Sequence, residues 1–308
     1  MGMKMVQMLE GKVVAVTGAG RGIGRGIALL CAQEGAKVIV NDFGGSAEGE
    51  GADASPAAEV VGLIKDAGGE AIANYASVAD PKGANSIIED ALQGFGRIDA
   101  VVNNAGILRD RIWHKMSAVD WKEVLDVHLN GCFNVSKAAT QAFKDQGSGS
   151  FIHFTSTSGL IGNFGQANYS AAKLGIVGLS QSIALDMARF GVRSNCIAPF
   201  AWSRLIATIP ATNEAEALRI ERMKSMSADK IAPLVAFLAS DAAAEVTNQI
   251  FAVRKNEIFL FDKPRPIRSM HRSEGWTPET IASDLLPAFR PSFSKLDRSA
   301  DIFGWDPI

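Results

Sequence analysis

The strongest constraint on this chain is a rhythm: short, unbroken apolar runs alternate with longer stretches of helical periodicity. Residues 12–17 (KVVAVT), 37–42 (KVIVND), 70–78, 100–103 (AVVN), 150–154 and 192–197 form the short runs. They have strand length and carry apolar side chains at successive positions, so both faces of each strand need cover. Between them, residues 24–34, 57–67, 82–95, 118–145 and 170–190 are rich in Ala, Leu and Ile at helical spacing. Strand and helix in alternation supply that cover, which predicts an α/β fold with a parallel sheet. Right-handed crossovers then make the sheet doubly wound. The predicted organisation is a single domain over residues 1–253 and a C-terminal extension over 254–308 that packs on the domain or on an adjacent subunit.

The first strand runs directly into Thr17-Gly18-Ala19-Gly20-Arg21-Gly22-Ile23-Gly24, and a helix follows. Glycines there permit a tight turn and let the backbone approach a pyrophosphate. The helix start offers N–H groups and a partial positive charge to that anion. Strand, turn and helix in this order are the context a Rossmann-type dinucleotide site requires. The second run ends at Asp42, whose carboxylate can accept hydrogen bonds from the adenosine ribose and would repel a 2′-phosphate. NAD is therefore expected over NADP. Arg21 is a competing signal, because a cation in the turn can meet a phosphate; Asp42 outweighs it by standing at the strand end. A turn role before Gly44-Gly45 is the alternative for Asp42.

Tyr169-Ser170-Ala171-Ala172-Lys173 opens a predicted helix, and residues four apart share one helical face. A phenol titrates near pH 10, so it is a poor base at neutral pH, and a neighbouring ammonium favours its ionised form. So tuned, Tyr169 can remove an alcohol proton as hydride leaves, or return one to a ketone. Ser156 stands at the end of the fifth run, where a doubly wound sheet places ligands. Its hydroxyl can hydrogen-bond the reacting oxygen.

Thr17 to Gly24, Asn103-Asn104-Ala105-Gly106, Ser156, Tyr169-x-x-x-Lys173 and Ala198-Pro199 follow the order and spacing of the short-chain dehydrogenase/reductase family, which the chain resembles from about Lys12 to Phe251. The three residues between Gly18 and Gly22 match that family's wide turn. The resemblance implies catalysis by Ser156, Tyr169 and Lys173. It implies a nicotinamide cofactor against Gly18, Arg21, Gly22, Ile23, Gly24, Asp42, Val78, Asn104, Ala105, Gly106, Tyr169, Lys173 and Pro199, with Lys173 also holding the nicotinamide ribose. It assigns substrate cover to residues 199–230. Val40-Asn41-Asp42-Phe43-Gly44-Gly45, residues 105–111 (AGILRDR), and Gly162-Asn163-Phe164-Gly165-Gln166-Ala167-Asn168-Tyr169 resemble more closely the dehydrogenase unit of peroxisomal multifunctional enzyme type 2, or type 4 17β-hydroxysteroid dehydrogenase, and its bacterial single-domain relatives. That group oxidises (3R)-hydroxyacyl-CoA thioesters, and some members oxidise steroid 17β-alcohols. The expected reaction is thus reversible NAD-dependent oxidation of a secondary alcohol to a ketone.

Three departures stand out. His128 replaces the helix Asn usual in the family and is expected to support catalysis. Ala76-Ser77-Val78 lacks the acidic residue usual after the third strand. Phe200-Ala201-Trp202-Ser203-Arg204 lacks the usual Gly and Thr, so Phe200 and Trp202 either reshape the pocket or pack in the core.

A formal charge of −2 gives no reason to expect nucleic acid or an anionic membrane as partner. Cys31, Cys132 and Cys196 fit no CxxC pattern and read as reduced, buried thiols, with no metal site. The N-terminus lacks a secretory or myristoylation pattern, and no run has the length of a membrane span. A cytoplasmic protein is expected. Residues 44–55 (GGSAEGEGADAS) read as a flexible acidic connector. The last fifty residues, with Pro264, Pro266, Pro278, Pro287, Pro291 and Pro307, read as an extended arm with one short helix near 278–286. Six basic residues from Arg254 to Arg272 form either a solvated surface or a contact with an anionic substrate handle or partner subunit. The predicted helices over 118–145 and 170–190 have apolar faces that family members use to dimerise, so a homodimer or homotetramer is expected. Two other readings remain: a non-catalytic NAD-binding regulator, which typically lacks the Tyr or Lys, and an epimerase or dehydratase on an extended version of the fold.

Overall fold

The computed structural model describes residues 7–201 and 226–308. Its sheet has eight strands in the order β3-β2-β1-β4-β5-β6-β7-β8. These are β1 (Val13–Thr17), β2 (Lys37–Asn41), β3 (Ala71–Asn74), β4 (Ala100–Asn103), β5 (Gly149–Phe154), β6 (Val192–Phe200), β7 (Ile250–Arg254) and β8 (Glu257–Phe261). The first seven run parallel and β8 is antiparallel to β7.

Period-two alternation explains the unbroken apolar runs. Val14, Val16, Val38 and Val40 enter one core layer, while Val13, Ala15 and Ile39 enter the other. The first layer lies beneath α1 (Gly22–Gln33) and α2 (Ser55–Asp66); the second lies beneath α3 (Pro81–Phe95) and α5 (Gly131–Gln146), which follows α4 (Ala118–Leu125). Helices α6 (Thr157–Leu160), α7 (Ala167–Met187) and α8 (Ala232–Ala239) complete the cover. Chain order reverses between β1 and β4, so the crevice at the carboxyl ends of these strands is the place where such sheets bind ligands.

The third run, expected to 78, leaves the sheet at Asn74. There the Asn74 side-chain oxygen accepts from Ala76 N at 3.0 Å and from Asn41 Nδ2 at 2.9 Å, ending the ladder in a turn. The long predicted helix over 118–145 is interrupted by a π turn, Asp126–Asn130, which carries His128.

The sheet continues past residue 253. Lys255 adopts φ +57°, β8 folds back on β7, and its alternation leaves Ile258 and Leu260 outside. The arm beyond it is not simply extended. Pro278–Thr280, Ile281–Leu285 and Leu286–Phe289 form consecutive helical turns begun by a Thr277–Thr280 capping box. Phe303 then packs against Phe200 and Phe259, with ring centroids 4.8 and 5.2 Å apart. Much of the basic cluster holds this arm: Arg254 pairs with Glu257 and donates to Trp305 O, Arg268 donates to Ala288 O, and Arg272 pairs with Asp284. The connector expected over 44–55 has an internal turn, Ser46 N to Glu50 O at 2.7 Å, and Ala47 O accepts from Leu108 N at 3.0 Å.

No described helix is long and apolar enough to cross a membrane. Cys31, Cys132 and Cys196 are free and buried, as the sequence implied, and burial pushes each thiol's pKa up. The described residues contain no cluster of ligands able to hold a metal.

Candidate active site

The turn after β1 is built for close approach. Gly18 takes φ +63°, and a Cβ there would come within 2.9 Å of Ala105 Cα; a Cβ at Gly24 would lie 2.1 Å from Gly18 O. The Asn103-Asn104-Ala105-Gly106 segment locks against this turn. Thr17 Oγ1 accepts from Asn104 N and Ala105 N at 3.0 and 3.1 Å. Asn104 Nδ2 donates to Thr17 O and Gly18 O at 3.0 and 3.1 Å. Asn104 therefore ties the two turns together with its side chain, and Thr17, the first residue of the glycine motif, anchors them through its hydroxyl.

The start of α1 makes no side-chain cap bond and has no acidic residue in its first turn; Gly22 is exposed and has open space beside it. An uncapped helix N-terminus behind bare glycines suits a pyrophosphate. Thr17, Val78, Ala105, Val127 and Gly131 line a narrow crevice at the same strand ends. Val78 is fixed there, its carbonyl accepting from Asn134 Nδ2 at 3.0 Å. The residues present thus fit a dinucleotide.

Asp42 stands just past β2. Its two carboxylate oxygens accept from Gly20 N at 2.8 Å and Gly44 N at 2.7 Å. The carboxylate is held against the glycine turn and retains acceptor capacity for ribose hydroxyls. Arg21, the competing signal, points into the acidic loop: its guanidinium lies 3.6 Å from Asp53 and 3.5 Å from Gly45 O.

Ser156 is the N-cap of α6, its hydroxyl accepting from Ser158 N at 3.1 Å. Gly159 brings α6 onto α7, since a Cβ there would meet Leu174 N at 2.8 Å. Across this packing the Ser156 hydroxyl acts on the phenol of Tyr169, favouring its ionised form. Lys173 is buried; its Nζ donates to Phe154 O at 2.6 Å and sits 5.5 Å from the Tyr169 ring centre. Burial pulls the Lys173 ammonium down to about 8.

The expected lowering of the phenol's pKa is reversed in the protein alone. Burial pushes Tyr169 up to about 12; Ser156's hydrogen bond opposes this and the charge of Asp110 adds to it. Lys173 is turned toward Phe154 O, and its pull does not offset the loss of water around the phenol.

His128 is buried on the π turn and meets the Tyr169 ring edge-on, centroids 5.2 Å apart and planes at 86°. Its Nε2 lies 2.7 Å from Ile107 O and 3.1 Å from Ile107 N, so the tautomer decides whether it donates to the carbonyl or accepts from the amide, and Nδ1 has no partner. Burial, then the Lys173 charge, push its pKa well below the usual 6.5, so the ring is neutral. A Cβ at Gly106 would come 2.2 Å from the ring. The structure gives His128 no hydrogen bond to Ser156, Tyr169 or Lys173.

A cavity of about 450 Å³ is lined by Ile112, Trp113, Ser158, Ile161, Phe164 and Ser170 among others, residues that neighbour Ser156 and Tyr169 in the chain, although neither of those two lines it. Ile23 is half-buried at the start of α1, and Pro199 and Phe200 end β6 nearby in chain order. Residues 202–225 of the substrate-covering segment 199–230, Trp202 included, lie outside the described residues. Asp110, Gln166 and Asn168 carry no role that their own stretches of sequence reveal. Their signal was the density of polar residues in 109–111 and 163–168, on two loops that converge only in the fold.

The family model described as short chain dehydrogenase matches residues 12–204. Over 274 residues the chain is 43% identical to peroxisomal multifunctional enzyme type 2 of Mus musculus, which covers 88% of this chain and 36% of that protein. Over 305 residues it is 36% identical to hydroxyacyl-CoA dehydrogenase ChsB1 of Mycobacterium tuberculosis, covering 94% of this chain and 93% of that one. Among solved structures, a short chain dehydrogenase from Mycobacterium avium superposes with a TM-score of 0.81 at 35% identity, covering 94% of this chain and 97% of the other.

Proposed function

The chain belongs to the short-chain dehydrogenase/reductase family, and on that premise we propose that it interconverts a 3-hydroxyacyl-CoA and its ketone with NAD, using Tyr169 as acid/base. The observation that carries this reading is the meeting of Ser156, Tyr169 and Lys173 at the strand ends, beside a turn whose glycines leave room for a dinucleotide. The near full-length similarity to a hydroxyacyl-CoA dehydrogenase supports the substrate class. The cavity's apolar rim suits the acyl part.

Gly18, Gly22, Gly24 and the start of α1 would hold the pyrophosphate, with Arg21 and Ile23 flanking it. Asp42 would take the adenosine ribose, and Val78, Asn104, Ala105, Gly106 and Pro199 would line the rest. The bound oxidised cofactor supplies a hydride acceptor and a positive charge. In oxidation, Tyr169 receives the hydroxyl proton as the carbinol C–H electron pair departs, leaving the carbonyl. Ser156 would hydrogen-bond the same oxygen and orient it toward Tyr169 for proton transfer. Lys173 would turn from Phe154 O to the nicotinamide ribose and favour the phenolate. His128 acts by position, seating the Tyr169 ring and closing the π turn onto Ile107.

Asp42 at the ribose position and Arg21 drawn to Asp53 support NAD over NADP. Exposed Phe133, Leu174 and Leu185 on α5 and α7 support a homodimer or homotetramer. A cytoplasmic location is part of the same reading.

The test follows NADH formation with NAD or NADP and a panel of a (3R)-hydroxyacyl-CoA, a 17β-hydroxysteroid and a simple secondary alcohol. Turnover of the thioester with NAD, lost in Tyr169→Phe while NAD still binds, is expected. Preference for the steroid would replace the substrate class. Absence of turnover with all three, despite NAD binding, would reject the proposal.

A further inference from the structure

The acidic connector after β2 is closed on itself and lies against three borders of one crevice. Its ends are pinched together: Gly44 takes φ +78°, and a Cβ there would come 1.8 Å from Asp53 O. Within it Ser46 N donates to Glu50 O at 2.7 Å and Gly49 N to Ser46 O at 3.1 Å, which makes the segment a compact loop of the Ω kind. Its base rests on Asp42, whose carboxylate accepts from both Gly44 N and Gly20 N. Its flank meets the glycine turn, where the Arg21 guanidinium lies 3.6 Å from Asp53 and 3.5 Å from Gly45 O. Its tip meets the segment after β4: Leu108 N donates to Ala47 O at 3.0 Å, and a Cβ at Gly49 would lie 3.1 Å from the nearest Ile107 side-chain atom. β2 and β4 flank β1 on opposite sides. A loop that leaves β2 and docks after β4 must therefore cross the carboxyl end of β1, a span of about 10 Å at the usual strand spacing. That is the switch point of the sheet, where the start of α1 and Asp42 would hold the dinucleotide.

We propose that residues 44–53 form a strap across the cofactor crevice, which lifts for a dinucleotide to enter or leave and closes over it once bound. This rests on the reading of the crevice as a nicotinamide dinucleotide site. No residue from 43 to 55 enters a core layer, and residues 48–55 are exposed. Across the crevice the strap is held by a backbone bond at its tip and an exposed ion pair at its flank, so it opens at far lower cost than the sheet beneath it. The glycine turn on the other side is tied to Asn104 and packed too closely to give way. Movement that admits or frees a dinucleotide therefore falls to the strap, and release of the reduced cofactor waits on its opening.

A cross-link can lock the strap shut. A Cβ at Gly49 would lie 3.8 Å from Ile107 Cβ, the usual separation across a disulfide. Gly49→Cys combined with Ile107→Cys is therefore joined by a mild thiol oxidant, while Cys31, Cys132 and Cys196 stay buried. Stopped-flow NADH fluorescence follows association and dissociation in the oxidised protein and after reduction by dithiothreitol. Cross-linking the empty protein is expected to slow NADH association, and cross-linking the loaded protein to slow its release, each by about thirtyfold, the lower end of what a disulfide commonly adds to the joined state. Reduction restores both rates. Because the two rates fall together, NADH affinity changes little, a pattern that damage to the site would not give. Rates unaltered by oxidation overturn the proposal, as does weaker binding with release no slower. Gly49 takes φ +90°, where a side chain is strained; should the double variant not fold, Asp53→Ala carries the test. It breaks the contact with Arg21 and should speed NADH release about two- to fivefold; an unchanged release rate overturns the proposal. A reduced protein that binds no NADH rejects the dinucleotide reading and the strap with it, whereas NADH binding at unaltered rates rejects the strap alone.

Discussion

Replacing Lys173 with Met is expected to destroy activity and stabilise the fold. Lys173 is 4% exposed, and burial moves its ammonium from 10.5 to about 8. The sign follows from proton binding. Between these two values the unfolded chain holds a proton that the folded chain has lost, so stability rises with pH across that window, and below it the full penalty applies. A shift of about 2.5 units corresponds to roughly 3 kcal/mol lost at neutral pH. Met keeps the length and apolar stem of the side chain and removes the charge. It also removes the 2.6 Å bond to Phe154 O, an offset of about 1–2 kcal/mol. The variant should therefore be more stable by about 1–2 kcal/mol near pH 7. Near pH 9.5 most wild-type Lys173 is neutral, so its disadvantage relative to Lys173→Met should shrink by about 2 kcal/mol. Urea denaturation of both proteins without cofactor, at the two pH values, measures the difference and cancels alkaline effects common to them. A variant less stable than wild type near pH 7, or a difference independent of pH, would refute the reasoning.

Gly106→Ala would push a Cβ to 2.2 Å from His128; it should cost about 1–3 kcal/mol in urea denaturation, and unchanged stability would show that the ring can retreat. Asp42→Ala removes the acceptor for Gly20 N and Gly44 N and the proposed ribose partner, so NAD affinity by fluorescence titration should fall about tenfold or more, whereas NADP affinity should fall less. Because burial holds the phenol toward 12, oxidation should accelerate as pH rises through the neutral range and ketone reduction should slow toward alkaline pH. A pH-rate profile with the opposite slopes would remove Tyr169 as the acid/base.

The fold was legible because the physics that makes it is local. A strand covered on both faces must be apolar at successive positions, and β1, β2 and β4 show that pattern without help from their neighbours. The glycine turn and the Tyr169–Lys173 spacing are likewise local: one turn of helix fixes which side chains share a face. β8 was less legible, since only its Glu257, Phe259 and Phe261 side turns inward and half a pattern five residues long is a weak signal. The same holds for the π turn, whose extra residue leaves no mark in composition.

The state of each group had to wait for the tertiary structure. Sequence placed an ammonium near a phenol and implied that it lowers the phenol's pKa. The fold buries Lys173, turns it to Phe154 O and withdraws water from the phenol, so the phenol moves up instead. Sequence alone determined that Tyr169, Ser156 and a glycine turn share one end of a parallel sheet, because strand direction and helix period are properties of short segments. Only the tertiary structure decided which charges and hydrogen bonds reach them, because desolvation and Coulomb forces depend on distances between residues far apart in the chain.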